Sequence, residues 1–396
     1  MQIRRIEVDN FKSLGDFHLE LGHFTCLIGL NGSGKSTVLQ AVDFLARLFR
    51  GNVSGWLAQR QWKIGDLSSK LVRKSNIDWL IRLEDEGTEI QWSGTFNRVS
   101  LRCTQEVLAI AGRDVLKVDE GNLSVIDLSG GGVPGVRSIT GKIGFDYQGS
   151  VLSQVKDDAL PKVVLAFRTF MRQTKSLDLL APQYLRQRTR DSGGELGLSG
   201  ERLSAFLHEL SSEQRRSLEQ QLRRCYPHLN RIHTSSLRSG WKQLEVGEIF
   251  GGRRLLSEAR HVNDGMLRLM AILSEILTDD QFLLFDEIEN GINAELVEFL
   301  LDVLVNSKQQ VLVTTHSPMI LNYLDDEVAR AGVQYLYKTP QGFTRSVPFF
   351  SIPSVSEKLE VMGPGEALVD TKLGHLYEEI LTMQAKTPEQ TDARPR

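Results

Sequence analysis

Short stretches of alternating apolar and charged residues open the chain. Ile3 to Val8 and Phe17 to Leu21 alternate in this way and predict two strands around a turn at Asn10 to Gly15. The unbroken apolar run Phe24 to Ile28 predicts a buried strand, and Val38 to Phe49 carries the spacing of a helix. Between them lies Gly29-Leu30-Asn31-Gly32-Ser33-Gly34-Lys35-Ser36-Thr37, which fits G-x-x-x-x-G-K-[ST] in the strand, loop and helix context the motif requires. Glycines let the backbone curl so that successive N–H groups point at phosphate oxygens, and the following helix adds the positive end of its dipole. Lys35 is then placed for the β- and γ-phosphates of a nucleotide triphosphate, and Ser36 for Mg²⁺, with Thr37 beside it.

Further along, Asn76 to Glu84, Glu89 to Val99, Leu101 to Ala109 and Asp114 to Val118 read as consecutive strands of an antiparallel sheet. The stretch from Gly51 to Lys74, with Trp56 and Trp62, reads as an irregular surface loop, and Gly130 to Gly135 as a flexible one. From Ser153 to Tyr226 the period becomes helical, with Leu203, Phe206, Leu207 and Leu210 on one face. This segment carries Arg186, Arg188, Arg190, Arg215, Arg216, Arg223 and Arg224, interleaved with acids. Such a face either tracks phosphates or is solvated surface.

Two more apolar strands end in chemistry. Gln281 to Phe285 runs into Asp286-Glu287, where Asp286 would orient Mg²⁺ and Glu287 would polarise the attacking water, with Glu289 as the second candidate base. A metal-bound carboxylate cannot easily also accept a proton, so adjacent acids divide two tasks. Following the helix Ala294 to Val305, the strand Gln310 to Thr314 delivers His316, an imidazole that could sense the γ-phosphate. Gln334 to Lys338 and Gly342 to Val347 suggest a hairpin, Gly363 to Glu366 a turn, and Leu373 to Gln384 a last helix before a frayed tail.

Composition narrows the class without deciding the partner. A 396-residue chain with 41% hydrophobic and 24% charged residues is that of a globular protein of more than one lobe. Its net charge of −3 argues against a general polycation drawn to nucleic acid, though not against a local basic patch. Three scattered cysteines suggest neither a disulfide framework nor zinc, and a reducing cytoplasm is the expected compartment. Neither a membrane-length apolar run nor a signal-peptide core is present, so no membrane partner is expected.

The opening Ile6-Glu7-Val8-Asp9-Asn10-Phe11-Lys12-Ser13-Leu14, followed by a strand and the phosphate loop, resembles the RecF, SMC and OLD-like branch of the ABC ATPases. That resemblance implies an α/β P-loop NTPase fold of ABC type: a mixed sheet core with an antiparallel β subdomain and an inserted helical lobe. Residues 1–150 would form the first part of the ATP-binding lobe, 151–280 the helical lobe, and 281–396 the second part. It places Lys12 and Ser13 near the nucleotide, although a solvated turn explains them equally. A magnesium-sensing glutamine is also implied, for which Gln91 and Gln105 are available without a local signature.

His261-Val262-Asn263-Asp264-Gly265 falls where the branch carries its signature loop, commonly Ser-Asp-Gly, with Asn263 here in place of the serine. Asn263 and Gly265 would then face the γ-phosphate held by a second subunit, although a plain helix cap by Asn263 or Asp264 explains the same residues. Asn290-Gly291-Ile292-Asn293 matches the branch's subunit-contact loop. The resemblance implies ATP and Mg²⁺ as cofactors, a head-to-head homodimer or higher assembly, and work on DNA or a DNA-linked partner in repair or anti-phage defence. No heptad repeat of the length of an SMC arm appears. The 80 residues after His316 are too few for the Toprim nuclease of OLD-type relatives, and Asp325, Asp326 and Glu327 read as a solvated helix end, so a separate nuclease or toxin is the expected effector. The alternative is an ATPase scaffold that binds only protein and holds an effector inactive.

Overall fold

A computed structural model describes residues 1–126 and 138–386. The glycine-rich stretch 130–135 and nearly all of the tail lie outside the described residues.

The centre is a six-stranded sheet in the order Thr174–Leu177, Phe282–Phe285, Gln310–Thr314, Phe24–Ile28, Val333–Lys338 and Thr344–Pro348. The first five strands are parallel and the last is antiparallel, so the core is mixed as expected. Its three inner motif-bearing strands are buried along their whole length, which is why they read as continuous apolar runs. Alternation along them divides the molecule into two cores. Leu27, Leu284 and Leu312 face one side, toward the helix Lys35–Leu48. Cys26, Leu283 and Val313 face the other, toward the helices Asp264–Ile276 and Ala294–Val305.

Over the first core lies an eight-stranded antiparallel sheet that begins with Phe17–Glu20 and Gln2–Asp9 and continues from Asn76–Asp85 to Ser138–Lys142. Gln310 ties the two sheets: its side chain accepts from Ile3 N at 2.9 Å and donates to the carbonyls of Ile3 at 2.7 Å and Gly22 at 2.8 Å.

Three stretches differ from the sequence reading. The supposed loop 51–74 contains the helix Val53–Gln59. Trp56 is buried there against Phe44 and donates to Asp43 at 2.9 Å, because the outer face of the Lys35–Leu48 helix is apolar enough to need cover. Residues 151–280 hold the helices Lys162–Arg172, Leu203–Glu209 and Ser212–Cys225, but also the edge strand Thr174–Leu177 of the core sheet. The same segment contains a three-stranded antiparallel sheet of Leu229–Ser236, Lys242–Phe250 and Arg253–Glu258. At Thr174–Leu177, inside the stretch read as helical, pairing with Phe282–Phe285 overrides the local spacing. Finally, the turn at Gly363–Glu366 starts a helix, Pro364–Val369, with Pro364 at its first position and the Glu366 carboxylate accepting from Gly363 N at 3.2 Å.

Candidate functional site

Parallel pairing sets the site. Leu27 lies beside Thr314 and Val313 beside Phe285, so the strands carrying Gly29, Asp286 and His316 end side by side at one edge of the core sheet. Ligands of open α/β sheets bind at such carboxyl ends.

The phosphate loop is shaped by backbone and braced from outside. Gly29, Gly32 and Gly34 all have positive φ, and a Cβ on Gly34 would meet Thr344 Oγ1 at 2.3 Å. Thr344 donates to the Ser33 carbonyl at 2.8 Å and shares a 2.8 Å hydrogen bond with Ser13 Oγ. Ser13 thus supports the loop through Thr344. Lys12 points elsewhere: its ammonium donates to Gln40 at 2.7 Å and lies 3.4 Å from the centre of the Trp62 ring, one turn along the helix from Ser36. Burial, with Arg60 nearby, pushes the Lys12 pKa down to about 8.

Does this loop suit a triphosphate? The helix that follows, 14 residues long, has no acidic residue in its first turn and no side-chain cap at Gly34, so its leading N–H groups remain available to an anion. Asn31, Gly32 and Ser36 are exposed at the mouth, and the buried Ser33 hydroxyl has no hydrogen-bond partner. Lys35 is buried, with its ammonium donating to the Gly29 carbonyl at 2.9 Å. Burial pushes its pKa down, while the charges of Asp286, Glu287 and Glu289 push it back up. The donor set fits phosphate, with Ser36 and Asp286 as the oxygen donors that would hold Mg²⁺ beside it.

Opposite the loop, five residues meet in two hydrogen-bonded sets. Thr314 Oγ1 donates to Asp286 Oδ1 at 2.6 Å and accepts from Glu287 N at 2.8 Å. Glu289 Oε1 accepts from His316 N at 2.9 Å, and His316 Nε2 lies 3.9 Å from Glu287 Oε1. Glu287 has φ of 46°, a left-handed conformation that costs a non-glycine residue about 1–2 kcal/mol. Arg268 holds the turn in place: it is buried, and one Nη donates to the carbonyls of Asp286 at 3.2 Å and Glu287 at 2.5 Å. Burial lowers the Arg268 pKa to about 10 against the pull of Glu289, Glu287, Asp178 and Asp286.

Thr314 and Arg268 were not singled out by the sequence, since neither sits in a motif and each acts on backbone or through a neighbour. A further arrival is the segment after Leu177. Asp286 N donates to the Leu177 carbonyl, and burial beside Asp286 raises the pKa of Asp178. Gln183 is exposed on the short helix that follows. By contrast, Gln91 and Gln105 sit in strands of the eight-stranded sheet, paired with neighbouring strands away from the ends of the core sheet.

Asn263 and Gly265 form a separate grouping. Asn263 caps the helix Asp264–Ile276, its side chain accepting from Met266 N at 2.7 Å. A Cβ on Gly265 would meet the Gly291 carbonyl at 2.8 Å, so the glycine allows the signature-like loop to pack on the Asn290–Asn293 loop. Together with Tyr226 and Asn293 these residues line a cavity. None of the residues that line this cavity belongs to the phosphate loop. The seven arginines named above, between 186 and 224, all have partners in the chain. Arg186 donates to the Val262 carbonyl at 2.7 Å and pairs with Asp264, and Arg188 pairs with Glu258 at 3.1 Å. Arg190 and Arg224 stack on Trp241 and Phe299, and Arg215, Arg216 and Arg223 donate to carbonyls of their own lobe. Asp325, Asp326 and Glu327 are exposed at the start of the helix Asp326–Gly332.

Comparison with known proteins agrees with this geometry. Residues 161–322 match the family described as "AAA domain, putative AbiEii toxin, Type IV TA system", and residues 1–103 match "AAA ATPase domain". The chain is 31% identical over 102 residues to the OLD nuclease of Thermus scotoductus, covering 26% of this chain and 17% of that protein. It is 32% identical over 84 residues to the DNA replication and repair protein RecF of Actinobacillus succinogenes, covering 16% of this chain and 24% of the relative. The matches therefore span a quarter or less of these two relatives. An SMC head bound to the C-winged helix domain of ScpA superposes with a TM-score of 0.54 at 16% identity, covering 88% of this chain and 97% of the other. A second, an Smc head with an extended coiled coil from Pyrococcus furiosus, gives 0.53 at 13% identity over 91% and 99%. Both establish the fold. No helix among the described residues is long and apolar enough to cross a membrane.

Proposed function

We propose that this chain, which matches ATPase-domain families and parts of RecF and OLD relatives, is an ATPase of the RecF, SMC and OLD-like branch of the ABC type: a dimeric switch driven by ATP hydrolysis, which engages a macromolecule and controls a separate effector. The observation that carries this reading is the meeting of Lys35 with Asp286, Glu287 and Glu289 beside His316, drawn from three distant segments. Lys35 and the leading N–H groups of its helix would bind and orient the triphosphate. Mg²⁺, when bound by Ser36 and Asp286, offsets charge on the β- and γ-phosphates. Glu287 would accept hydrogen from the attacking water, its carboxylate set by the left-handed turn that Arg268 and Thr314 hold. His316, with its N–H fixed by Glu289, would bond the γ-phosphate and register its loss.

Asn263 and Gly265 are exposed and half-buried respectively, on a loop that packs on Gly291 and lines a cavity with no phosphate-loop residue in it, which favours their meeting the nucleotide of a second subunit. For the macromolecule, the RecF relatives point to DNA in repair, and the OLD nuclease and AbiEii toxin likenesses to a nuclease or toxin as effector, in line with the anti-phage role that the resemblance implies. One observation favours the second reading, a scaffold that binds only protein: the arginines named between 186 and 224 are committed to partners within the chain, Arg224 to Phe299 of the helix Ala294–Val305 and the others in their own lobe. Release of phosphate from ATP without an acceptor, lost together with nucleotide binding in Lys35→Ala, is the expected result. Turnover that survives Lys35→Ala would refute it. Duplex DNA binding at low salt that weakens as salt rises would select the DNA reading, and none at low salt would select the scaffold.

A further inference from the structure

The hairpin Lys242–Phe250 and Arg253–Glu258 turns through Gly251 and Gly252, both at positive φ, as a two-residue turn of this kind requires. One face of its sheet is covered near the base, where Leu244 and Val246 are buried with Leu222 and Phe206 in the larger core. Toward the tip neither face is covered. Leu255 is 52% exposed and Leu256 58% exposed, on opposite faces of one strand. Leu256 is bare partly because its cross-strand neighbour is Gly247, which has no side chain to lie against it. Arg253–Glu258 is also the edge of its sheet, so its outer row of N–H and C=O groups has no strand partner among the described residues. Exposed apolar edges are strand-pairing surfaces, and natural chains usually blunt them.

The sequence of this edge indicates what pairs with it. A two-fold axis perpendicular to a sheet keeps each side chain on its own face, so a symmetric antiparallel pair must centre on one residue opposite its own copy. Centred on Leu256, the pairing sets Leu256 against Leu256 of a second copy and Arg254 against Glu258 at both ends, all on one face. Centred on Leu255, it would set Arg254 against Leu256 and leave both charges unmatched. In the single chain Arg254 is exposed and makes no ion pair among the described residues. Glu258 lies directly opposite Glu245, an unfavourable carboxylate pair relieved in part by Arg188 and Arg260. We infer that a second copy of this chain docks edge to edge on Arg253–Glu258, in antiparallel register about Leu256, joining the two three-stranded sheets into one of six. This contact needs no nucleotide and is distinct from the ATP-dependent interface proposed above. A chain with two self-complementary faces assembles beyond a dimer when both are engaged.

The test is sedimentation of the full chain at micromolar concentration in nucleotide-free buffer containing chelator, where failure of the ATPase reading has no effect. The wild type should sediment at twice the chain mass. Arg254→Glu and Glu258→Arg should each sediment as monomers that still unfold in one cooperative thermal transition, and an equimolar mixture should restore the dimer, since each bad charge then meets its opposite. Mild oxidation should cross-link L256C between subunits and leave L255C largely uncross-linked, which tests the register should Glu258→Arg misfold. A monomeric wild type, a dimer that survives Arg254→Glu, or equal cross-linking at the two positions would overturn the proposal.

Discussion

Glu287 occupies a backbone conformation that a non-glycine residue adopts only when neighbours hold it there, and those neighbours are Thr314 and Arg268. Replacing Thr314 with Val removes the hydroxyl that joins Asp286 to the Glu287 amide. Nucleotide affinity should change less than about threefold while turnover falls on the order of 10- to 100-fold, because positioning and not binding is lost. Parallel binding and phosphate-release measurements check this, and an unchanged rate would remove Thr314 from the positioning role. Lys12 offers a pH test. Its ammonium over Trp62 titrates near 8 in the fold and near 10.5 unfolded, so it is charged below about pH 8 and neutral above. The unfolded chain binds more protons between those values, so this group makes folding less costly as pH rises from 8 to 10.5. Indole fluorescence should show a step near pH 8 that is absent in Lys12→Met; a step that persists would assign it to another group. Lys35, Ser36, Asp286, Glu287 and His316 were legible because their chemistry sits in contiguous motifs at strand ends. Arg268 was not, since an arginine bonding carbonyls leaves no spacing rule behind.

Among the elements, the helix Asp264–Ile276 serves two sides: its Asn263 cap faces outward, and its Arg268 reaches the Asp286–Glu287 turn. Asn263→Asp separates capping from nucleotide contact. Aspartate caps as well as asparagine, so unfolding free energy should move by less than about 0.5 kcal/mol. A carboxylate against a γ-phosphate should nonetheless cut turnover at least tenfold. Full turnover with unchanged stability would leave Asn263 as a cap alone. Strands whose residues are buried throughout, and the phosphate-loop helix, were legible from period and run length. The strand Thr174–Leu177 was not, because four residues with a lysine and a serine carry no apolar alternation and become a strand only by pairing with Phe282–Phe285. The hairpin that precedes the signature-like loop escaped notice for a related reason: its exposed leucines break the pattern that marks a half-buried strand.

At the scale of the whole molecule, two cores lie on either side of one sheet whose strand ends carry the site, and the proposed sandwich brings the signature-like loop of a second copy to that edge. Glu287→Gln, combined with Arg254→Glu to remove the edge contact, should with ATP therefore accumulate as a closed dimer, visible as doubled mass by light scattering relative to the same double variant without nucleotide. No nucleotide-dependent change in mass would argue against the sandwich. The central claim is that the phosphate loop, the Asp286–Glu287 turn and His316 act on one ATP. Steady-state phosphate release by Glu287→Gln at saturating ATP tests it most directly: a rate at least about 100-fold below wild type is expected, and a rate equal to wild type would contradict it.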